Sequence, residues 1–277
     1  WKNSPSGVDM TVSPLLRNKN FFDFEFSTSM FPSIEVNTQY EAWSKRGSST
    51  QLMIKWEFFK KTFDEVNNLF IKHNVGSNPS YIIQNGRFID YVQLNHVILY
   101  LLLLENCFNK NKKINSVLEI GAGFGNLARI IIQEHDFKYF IIDLPEALIM
   151  QSFYLKKFFP EKKICFPHDL QNSELTENEI IKYDIFLMTP SVKIKEKLNI
   201  GCAINSGSFM EMRMSDIKKY FSIIEENLIN DGFFFNNNRY FKDTSGEKIK
   251  LHCYPYSNKW SVVYSKNYLN FKRLHLL

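Results

Sequence analysis

Three glycines at alternate positions follow an apolar run that carries an acid near its end. The stretch 117–126 reads V-L-E-I-G-A-G-F-G-N, so Gly121, Gly123 and Gly125 come between a predicted strand and a helix that begins near Leu127. Glycine allows a tight turn and a close backbone approach to a ligand, and the helix start offers N–H groups to an anionic group. The arrangement predicts a loop that binds a nucleotide-like cofactor. A glycine turn that only packs a helix on a strand is the plain structural alternative.

A carboxylate lies roughly twenty residues beyond the glycines, at the spacing expected of an acid that binds ribose. The run 139–143 is apolar, ends in Asp143, and is followed by Leu144 and Pro145. In a βαβ unit, the acid that ends the second strand accepts hydrogen bonds from ribose hydroxyls. Because proline cannot continue a strand ladder, the chain should turn away at Pro145. We therefore predict that Asp143 binds ribose, the alternative being a solvated loop acid.

The elements around these residues alternate between strand and helix. Predicted strands cover residues 116–120, 139–143, 163–166, 183–188, 201–205 and 232–236, and predicted helices cover 127–133 and 145–159. A further helix is expected to be capped by Ser215, to bury Ile217, Phe221, Ile224 and Leu228, and to end at Gly232. A terminal antiparallel pair is expected at 248–254 and 260–264. This alternation predicts an α/β fold with a mainly parallel sheet, helices on both faces, and ligands bound beyond the carboxyl ends of the strands.

The residues before position 113 are predicted to form a mostly helical region of their own. Its features are a strand or surface arm at 21–26, an amphipathic helix over 52–70, a loop at 76–85, a buried helix over 89–108 and a linker at 109–115. We predict an accessory region at 1–112, which covers the substrate or forms a homodimer surface, and a catalytic domain at 113–277.

Composition and charge argue against several classes of protein. The chain has 277 residues, of which 44% are hydrophobic and 23% charged, as in a soluble globular protein. The net charge of +5 is spread along the sequence, which does not predict a nucleic-acid groove. The longest apolar run, 97–104, is too short to span a bilayer, and the first residues lack the charged-then-apolar pattern of a signal peptide. The chain begins at Trp1 rather than Met, as a trimmed or internal piece of a longer protein would.

The four cysteines are widely separated and form no C-x-x-C pair, so we predict no zinc site and recognise no other metal-ligand cluster. They are Cys107, Cys165, Cys202 and Cys253. Free thiols in apolar segments indicate a reducing compartment, and we expect a cytoplasmic protein.

Four segments together resemble a known family. V-L-E-I-G-A-G-F-G-N, I-I-D-L-P-E, I-N-S-G-S-F-M-E-M and F-F-F-N-N-N-R-Y are similar to the sugar O-methyltransferases of bacterial surface-polysaccharide gene clusters, such as those for capsule and lipopolysaccharide. The first segment alone resembles motif I of class I S-adenosylmethionine (SAM) methyltransferases, and the last two are more specific. The resemblance covers roughly residues 76–265. It implies a Rossmann-like class I methyltransferase sheet, SAM as the methyl donor, and a hydroxyl of a surface-polysaccharide sugar or its precursor as acceptor.

The resemblance also implies roles for individual residues on the cofactor side. Glu119 would bind the amino group of SAM, Asp143 its ribose, and the loop amides near Phe124 its carboxylate. The implied cofactor contacts are Glu119, Gly121, Ala122, Gly123, Phe124, Gly125, Asp143, Leu144, Asn205 and Ser206. The adenine would lie near the end of the third strand. His168 and Asp169 are candidates there, with Thr189 and Ser191 as open alternatives.

On the acceptor side, a sugar hydroxyl is a poor acid, so a general base near the methyl group would help. Glu211 is the ionisable residue in the segment after the strand that usually faces the sulfonium, and we predict it as the base. The alternative roles are cofactor binding and capping of a turn. His96 is a second catalytic candidate, although a lone histidine on an apolar helix is more often a core residue. The predicted substrate contacts are Ser208, Asn238, Arg239 and Tyr240, with a structural loop network as the alternative.

Three other functions are compatible with parts of the sequence. One is a class I methyltransferase that acts on another kind of acceptor, although no N-P-P-Y type signature is present. Another is a SAM-binding module without catalytic activity in a glycan assembly system. The last is an NAD-dependent dehydrogenase, which is disfavoured because Asn126 occupies the place of the last glycine of the G-x-G-x-x-G fingerprint.

Overall fold

The first of two compact units, residues 1–101, carries a β-hairpin that leads into a long helix. The computed structural model describes residues 60, 63–73, 81–244, 246–267 and 274–276. The elements near the start are helix α1 (Phe63–Val66), strands β1 (Tyr81–Gln84) and β2 (Arg87–Asp90), and helix α2 (Tyr91–Leu103). The predicted arm at 21–26 and most of the predicted helix over 52–70 lie outside the described residues.

The predicted loop at 76–85 is wrong from residue 81 onward, where strand β1 begins the hairpin. Asn85 and Gly86 have positive φ angles of 49° and 70°, the backbone geometry of a tight two-residue turn between strands. The helix then starts at Tyr91 rather than Ile89, because Asp90 Oδ1 accepts hydrogen bonds from the backbone N–H groups of Val92 and Gln93, both at 2.8 Å. The end of the predicted helix, Leu104–Phe108, is a π-helical turn.

The second compact unit, residues 102–277, is built on an eight-stranded sheet. Its strands are β3 (Ser116–Ile120), β4 (Lys138–Ile142), β5 (Ile164–Cys165), β6 (Glu174–Leu175), β7 (Ile185–Met188), β8 (Lys193–Ile194), β9 (Ile200–Ser206), β10 (Leu228–Arg239), β11 (Phe241–Thr244), β12 (Glu247–Lys250), β13 (Lys266–Asn267) and β14 (Leu274–Leu276). Its helices are α3 (Asn126–Glu134), α4 (Pro145–Phe158), α5 (Glu177–Lys182) and α6 (Met214–Asn227). The order across the large sheet is β13-β14-β10-β9-β3-β4-β7-β5, while β6 pairs with β8 and β11 with β12.

The six strands from β10 to β5 are parallel to one another. At one edge of the sheet β14 runs antiparallel to β10, and β13 pairs antiparallel with β14. All five residues of β3 are buried, as expected of a strand covered on both faces. On one face, Ile217, Phe221 and Ile224 of α6 join a core cluster with Leu118 and Phe140. Since crossovers between parallel strands are right-handed, we expect α3 and α4 to cover the opposite face. The second unit is therefore a Rossmann-like α/β sheet, as the sequence predicts.

Several predicted details of the second unit are wrong. Arg213, not Ser215, is the residue before helix α6, which ends at Asn227, and Leu228 and Gly232 belong to β10. Strand β10 is long because it continues the parallel pairing with β9 past a register shift between Leu228 and Phe233.

The predicted terminal pair at 248–254 and 260–264 is wrong as well. Strand β12 pairs instead with β11, through a two-residue connection that includes Gly246 at φ +75°. The Ser-Gly dipeptide at 245–246 is a turn signal that sequence interpretation missed. The residues at 260–264 are not in a strand, and the antiparallel edge of the sheet is built from β13 and β14.

Candidate functional site

The candidate site lies at the carboxyl ends of β3, β4, β9 and β10, which are adjacent and parallel. The predicted residues that meet there are Glu119, the loop from Gly121 to Gly125, Asp143, Asn205, Ser206, Ser208 and Asn238. Each belongs to a strand end or to the loop that follows it. This edge is where open parallel sheets bind their ligands.

The glycine loop has the backbone geometry that the sequence predicts. Gly121, Gly123 and Gly125 have φ angles of 73°, 62° and 92°, which L side chains rarely adopt. The backbone N–H of Gly121 donates to Ile142 O at 3.0 Å, which ties the loop to the end of β4. A Cβ atom on Gly121 would also collide with the side chain of Ser208. Position 121 therefore requires glycine for its backbone angle and for the available space.

The buried side chain of Asn126 connects two helices through hydrogen bonds. Its Oδ1 accepts hydrogen bonds from the Arg129 guanidinium at 3.1 and 3.2 Å and from Tyr154 Oη at 2.8 Å. The side chain is fully buried, as is that of Arg129, which also donates to Gln133 Oε1 at 3.0 Å. Asn126 thus joins α3 to α4 at the position where a dinucleotide fingerprint would carry its last glycine. The sequence shows that Asn126 replaces this glycine, but the structural role of its side chain is clear only from its contact with α4.

Glu119 is a buried acid, 3% exposed, that accepts a hydrogen bond from Tyr139 Oη at 2.7 Å. Burial raises the pKa of Glu119 to about 7; the Tyr139 hydrogen bond opposes this rise, and the charge of Asp143 adds to it. A carboxylate in such a place is stabilised in its charged form by a cationic ligand group. Its predicted contact with an amino group stays a prediction.

Asp143 lies directly after β4 and against the glycine loop. Its Oδ1 accepts from the backbone N–H of Leu144 at 2.8 Å, and its Oδ2 accepts from Gln151 Nε2 at 2.8 Å. Burial raises the pKa of Asp143 to about 6, while hydrogen bonds from Leu144, Gln151 and the backbone N–H groups of Gly123 and Ala122 oppose this rise. The carboxylate is thus held at the junction of β4 with the loop that follows β3, where an acid that binds ribose is expected.

Gln151 is a site residue that sequence interpretation missed. It lies on α4 and is fully buried, and its Nε2 also donates to Gly123 O at 2.8 Å. Its Oε1 is buried and has no hydrogen-bond partner among the described residues. Such an unpaired polar atom costs roughly 1–3 kcal/mol. The sequence offers one signal, a polar residue in the middle of a helix that begins soon after Asp143. It cannot show that the amide of this residue reaches both Gly123 O and Asp143 Oδ2.

A chain of buried amides joins the ends of β9 and β10. Asn205 Nδ2 donates to Ile120 O at 2.9 Å and to Ser208 Oγ at 2.5 Å, and Asn205 Oδ1 accepts from Asn238 Nδ2 at 2.7 Å. Asn238 Oδ1 in turn accepts from the backbone N–H of Met210 at 3.0 Å. The side chains of Asn205 and Asn238 are fully buried. They fix the loop after β9. This supports the alternative role of Asn238, in which it belongs to a structural loop network rather than to a substrate site.

Glu211 ends the 3-10 turn Phe209–Glu211 in this loop, and its backbone N–H donates to Ser208 O at 3.0 Å. Its residue surface is exposed, yet partial desolvation of the carboxylate raises its pKa, and Arg239 opposes the rise. A carboxylate with a raised pKa suits a general base.

His168 and Asp169, the two predicted adenine contacts, follow β5, which is an edge strand of the large sheet. The strand next to β4 is β7, not β5, and Asp143 N donates to Met188 O at 3.0 Å at its end. His168 is exposed, while Asp169 Oδ2 accepts from Phe166 N at 2.9 Å. The alternatives Thr189 and Ser191 follow β7, and their hydroxyls lie 2.8 Å apart. Topology thus favours the alternatives, and the role of His168 and Asp169 stays a prediction.

Ser206 is the last residue of β9, Arg239 is the last residue of β10, and Tyr240 follows it. Ser206 Oγ accepts from Asn237 Nδ2 at 3.1 Å. Arg239 and Tyr240 are exposed, and Tyr240 Oη lies 3.1 Å from His252 Nδ1. His96 lies half-buried on α2, in the first compact unit, and its part in catalysis stays a prediction.

Within the part of the chain that the structure describes, no group of three or more His, Cys, Asp and Glu residues could hold a metal ion. No helix in that part is long and apolar enough to cross a membrane.

No protein-family model and no curated protein sequence matches the chain. Solved structures that align with about half of it include phosphoethanolamine N-methyltransferase 2 of Haemonchus contortus in complex with SAM, at 15% identity over 52% of this chain and 28% of that chain, with a TM-score of 0.38. A candidate O-methyltransferase of Nostoc punctiforme aligns at 10% identity over 52% and 36%, with a TM-score of 0.36. A SAM-dependent methyltransferase of Thiobacillus denitrificans in complex with S-adenosyl-L-homocysteine aligns at 10% identity over 53% and 49%, with a TM-score of 0.34. The aligned part spans less than half of each of these structures, and likeness at this level does not assign an activity.

Proposed function

We propose that the protein is a SAM-dependent O-methyltransferase that acts on a sugar hydroxyl of a bacterial surface polysaccharide or its precursor. The observation that carries the proposal is the position of Asp143. Its carboxylate lies against the glycine loop at the carboxyl ends of two neighbouring parallel strands, β3 and β4. An acid and a glycine loop in this arrangement suit a ligand with a ribose and a compact charged group.

The residues at these strand ends fit SAM. The absence of a side chain at Gly121 lets the backbone pass close to Ser208, and the loop amides can face the carboxylate of the methionine part. Glu119 would hold the amino group, and Asp143 would accept hydrogen bonds from the ribose. Since SAM has no phosphates, it does not need the last glycine of a dinucleotide fingerprint, whose place the buried Asn126 side chain fills.

When bound, SAM supplies an electrophilic methyl group on a sulfonium. The chain's own residues would then align the acceptor oxygen, exclude water and accept its proton. Glu211 is the group proposed for the proton, because its carboxylate is partly desolvated and sits on the loop after β9. The amide chain from Asn205 to Asn238 would hold this loop in place during the reaction.

The sugar acceptor is supported by the sequence resemblance and by where its segments meet. The segments I-N-S-G-S-F-M-E-M and F-F-F-N-N-N-R-Y are remote in sequence, yet Asn205 and Asn238 from them share a hydrogen bond. Arg239 belongs to the second segment and is exposed, with donors suited to hydroxyls or a diphosphate.

The test is methyl transfer from isotopically labelled SAM to nucleotide sugars, lipid-linked oligosaccharides and isolated polysaccharides, with amine acceptors in parallel. We expect the label in a methyl ether on a sugar oxygen. Transfer to amines alone would replace the proposal with a methyltransferase of another class. Binding of SAM without transfer to any acceptor would favour a non-catalytic module.

A further inference from the structure

One side-chain amide joins the two halves of the proposed cofactor site. Gln151 Nε2 donates to Gly123 O in the glycine loop and to Asp143 Oδ2 at the end of β4, each at 2.8 Å. The side chain comes from α4, an element that provides no predicted site residue. Its stem packs under the loop, since a Cβ on Gly125 would meet Gln151 Cγ at 3.5 Å.

The orientation of this amide follows from its neighbours. Gly123 O and Asp143 Oδ2 are both acceptors, so the NH2 end of Gln151 must face them. This leaves Oε1 buried without a partner among the described residues. A folded protein seldom leaves a buried polar atom unpaired without a compensating role. Here the two hydrogen bonds that Nε2 donates offset the cost of the unpaired Oε1.

The two acceptors also need the amide for an electrostatic reason. A carbonyl oxygen and a carboxylate oxygen that face one position repel each other unless a donor lies between them. With its two N–H groups, Gln151 satisfies both oxygens at once. Without them, only backbone N–H groups would stabilise the charged carboxylate, so the pKa of Asp143 would rise further.

We propose that Gln151 is a positioning residue that holds Asp143 against the glycine loop in the ionised form that accepts hydrogen bonds from ribose. This inference rests on the proposed function, because it takes Asp143 as the ribose-binding acid. Gln151 is fully buried, and it would act on the cofactor through Asp143 and the loop.

Besides the amide of Gln151, two titratable groups bear on the ionisation of Asp143. Glu119 on β3 and Tyr220 on α6 both interact with it electrostatically. Tyr220 stays neutral up to high pH because burial raises its pKa to about 12. Burial raises the pKa of Glu119 to about 7, so the experiment must distinguish its contribution to the pH profile from that of Asp143.

The experiment measures the affinity of the full chain for S-adenosylhomocysteine by calorimetry between about pH 5 and about pH 8. The variants are Gln151→Met, which keeps the length of the side chain without its donors, and Gln151→Asn, which is too short to reach both acceptors. Ser152→Ala on the same helix is the control, since its hydroxyl bonds only to Ile149 O among described partners. We expect both Gln151 variants to lose about tenfold more affinity at pH 6 than at pH 8, because Asp143 ionises at higher pH without the amide. The control should follow the native profile.

A second arm places Gln151→Met in an Asp143→Asn background. There the pH-dependent part of the Gln151 effect should vanish, while the contribution of Glu119 to the profile remains. An unchanged pH profile in folded Gln151 variants, checked by thermal unfolding, would overturn the inference and leave the proposed function intact. A native protein that binds no S-adenosylhomocysteine at any pH would overturn both.

Discussion

Gly121 and Ser208 lie against each other, so closely that a Cβ on Gly121 would overlap the Ser208 side chain. Ser208 Oγ donates to Ile120 O at 3.0 Å, directly before the glycine. The loop after β9 therefore rests on the loop after β3. In the proposed function this contact places the acceptor-side loop, with Glu211, next to the cofactor loop.

Gly121→Ala should weaken S-adenosylhomocysteine binding at least tenfold and destabilise the fold by about 1–3 kcal/mol. The reasons are the φ angle of 73° and the collision with Ser208. Gly246→Ala is a matched control, because Gly246 has a φ of 75° while a Cβ there would meet no described atom within 4 Å. Adding Ser208→Gly should recover the steric part of the loss. Equal effects of the substitutions at 121 and 246 would show that backbone strain alone matters.

Asp143→Ala should weaken S-adenosylhomocysteine binding at least tenfold, about 1.4 kcal/mol. The variant loses the carboxylate that would accept hydrogen bonds from the ribose. Asp136→Ala removes an exposed carboxylate that pairs with Lys162 at 2.7 Å and should leave the affinity unchanged. Titration calorimetry measures both, and native affinity in Asp143→Ala would rule out its ribose role.

Unfolding at different pH tests the environment of Glu119. Its carboxyl ionises near pH 4 in the unfolded chain, whereas burial raises its folded pKa to about 7. Between these values the folded protein holds a proton that the unfolded chain has lost, so stability should fall as pH rises from about 4 to about 7 and then level off. Asp143, with its pKa raised to about 6, acts in the same direction.

Glu119→Gln should remove most of this loss and be more stable than the native protein at about pH 8, by up to roughly 3 kcal/mol. Urea unfolding without cofactor measures the difference, and Glu161→Gln is a control at an exposed site. A native protein that gains stability over this pH range, with no difference in Glu119→Gln, would show that Glu119 is not buried as described.

Glu211→Gln should leave S-adenosylhomocysteine affinity nearly unchanged and slow methyl transfer roughly a hundredfold or more. The amide keeps the shape of the side chain but cannot accept a proton from the acceptor hydroxyl. Glu226→Gln, at an exposed position on α6, should retain the native rate. A native rate in the Glu211 variant would remove this residue as the base.

The parallel core, the turn at the three glycines and the position of Asp143 beside it were predictable because their signals are local. Strand β3, the positive-φ glycines and Asp143 follow one another within about thirty residues of sequence. Helix α4 begins at Pro145, as the sequence predicts, since proline suits a first helical turn.

The details that sequence interpretation missed depend on contacts between remote segments. Nothing local shows that β7 rather than β5 lies beside β4, so the adenine end stayed open between Asp169 and Thr189. Asn205 and Asn238 are 33 residues apart and meet only because β9 and β10 are neighbours. The role of Gln151 likewise depends on α4 packing under the glycine loop. The domain boundary at 112 and the homodimer stay predictions.

The glycine loop and Asp143 are the parts of the protein that we propose bind SAM. The most direct test is calorimetric titration of the purified native protein with S-adenosylhomocysteine, with NAD in parallel. We expect saturable binding of S-adenosylhomocysteine and none of NAD. Binding of NAD alone, or of neither compound, would show that the glycine loop and Asp143 do not form a SAM site.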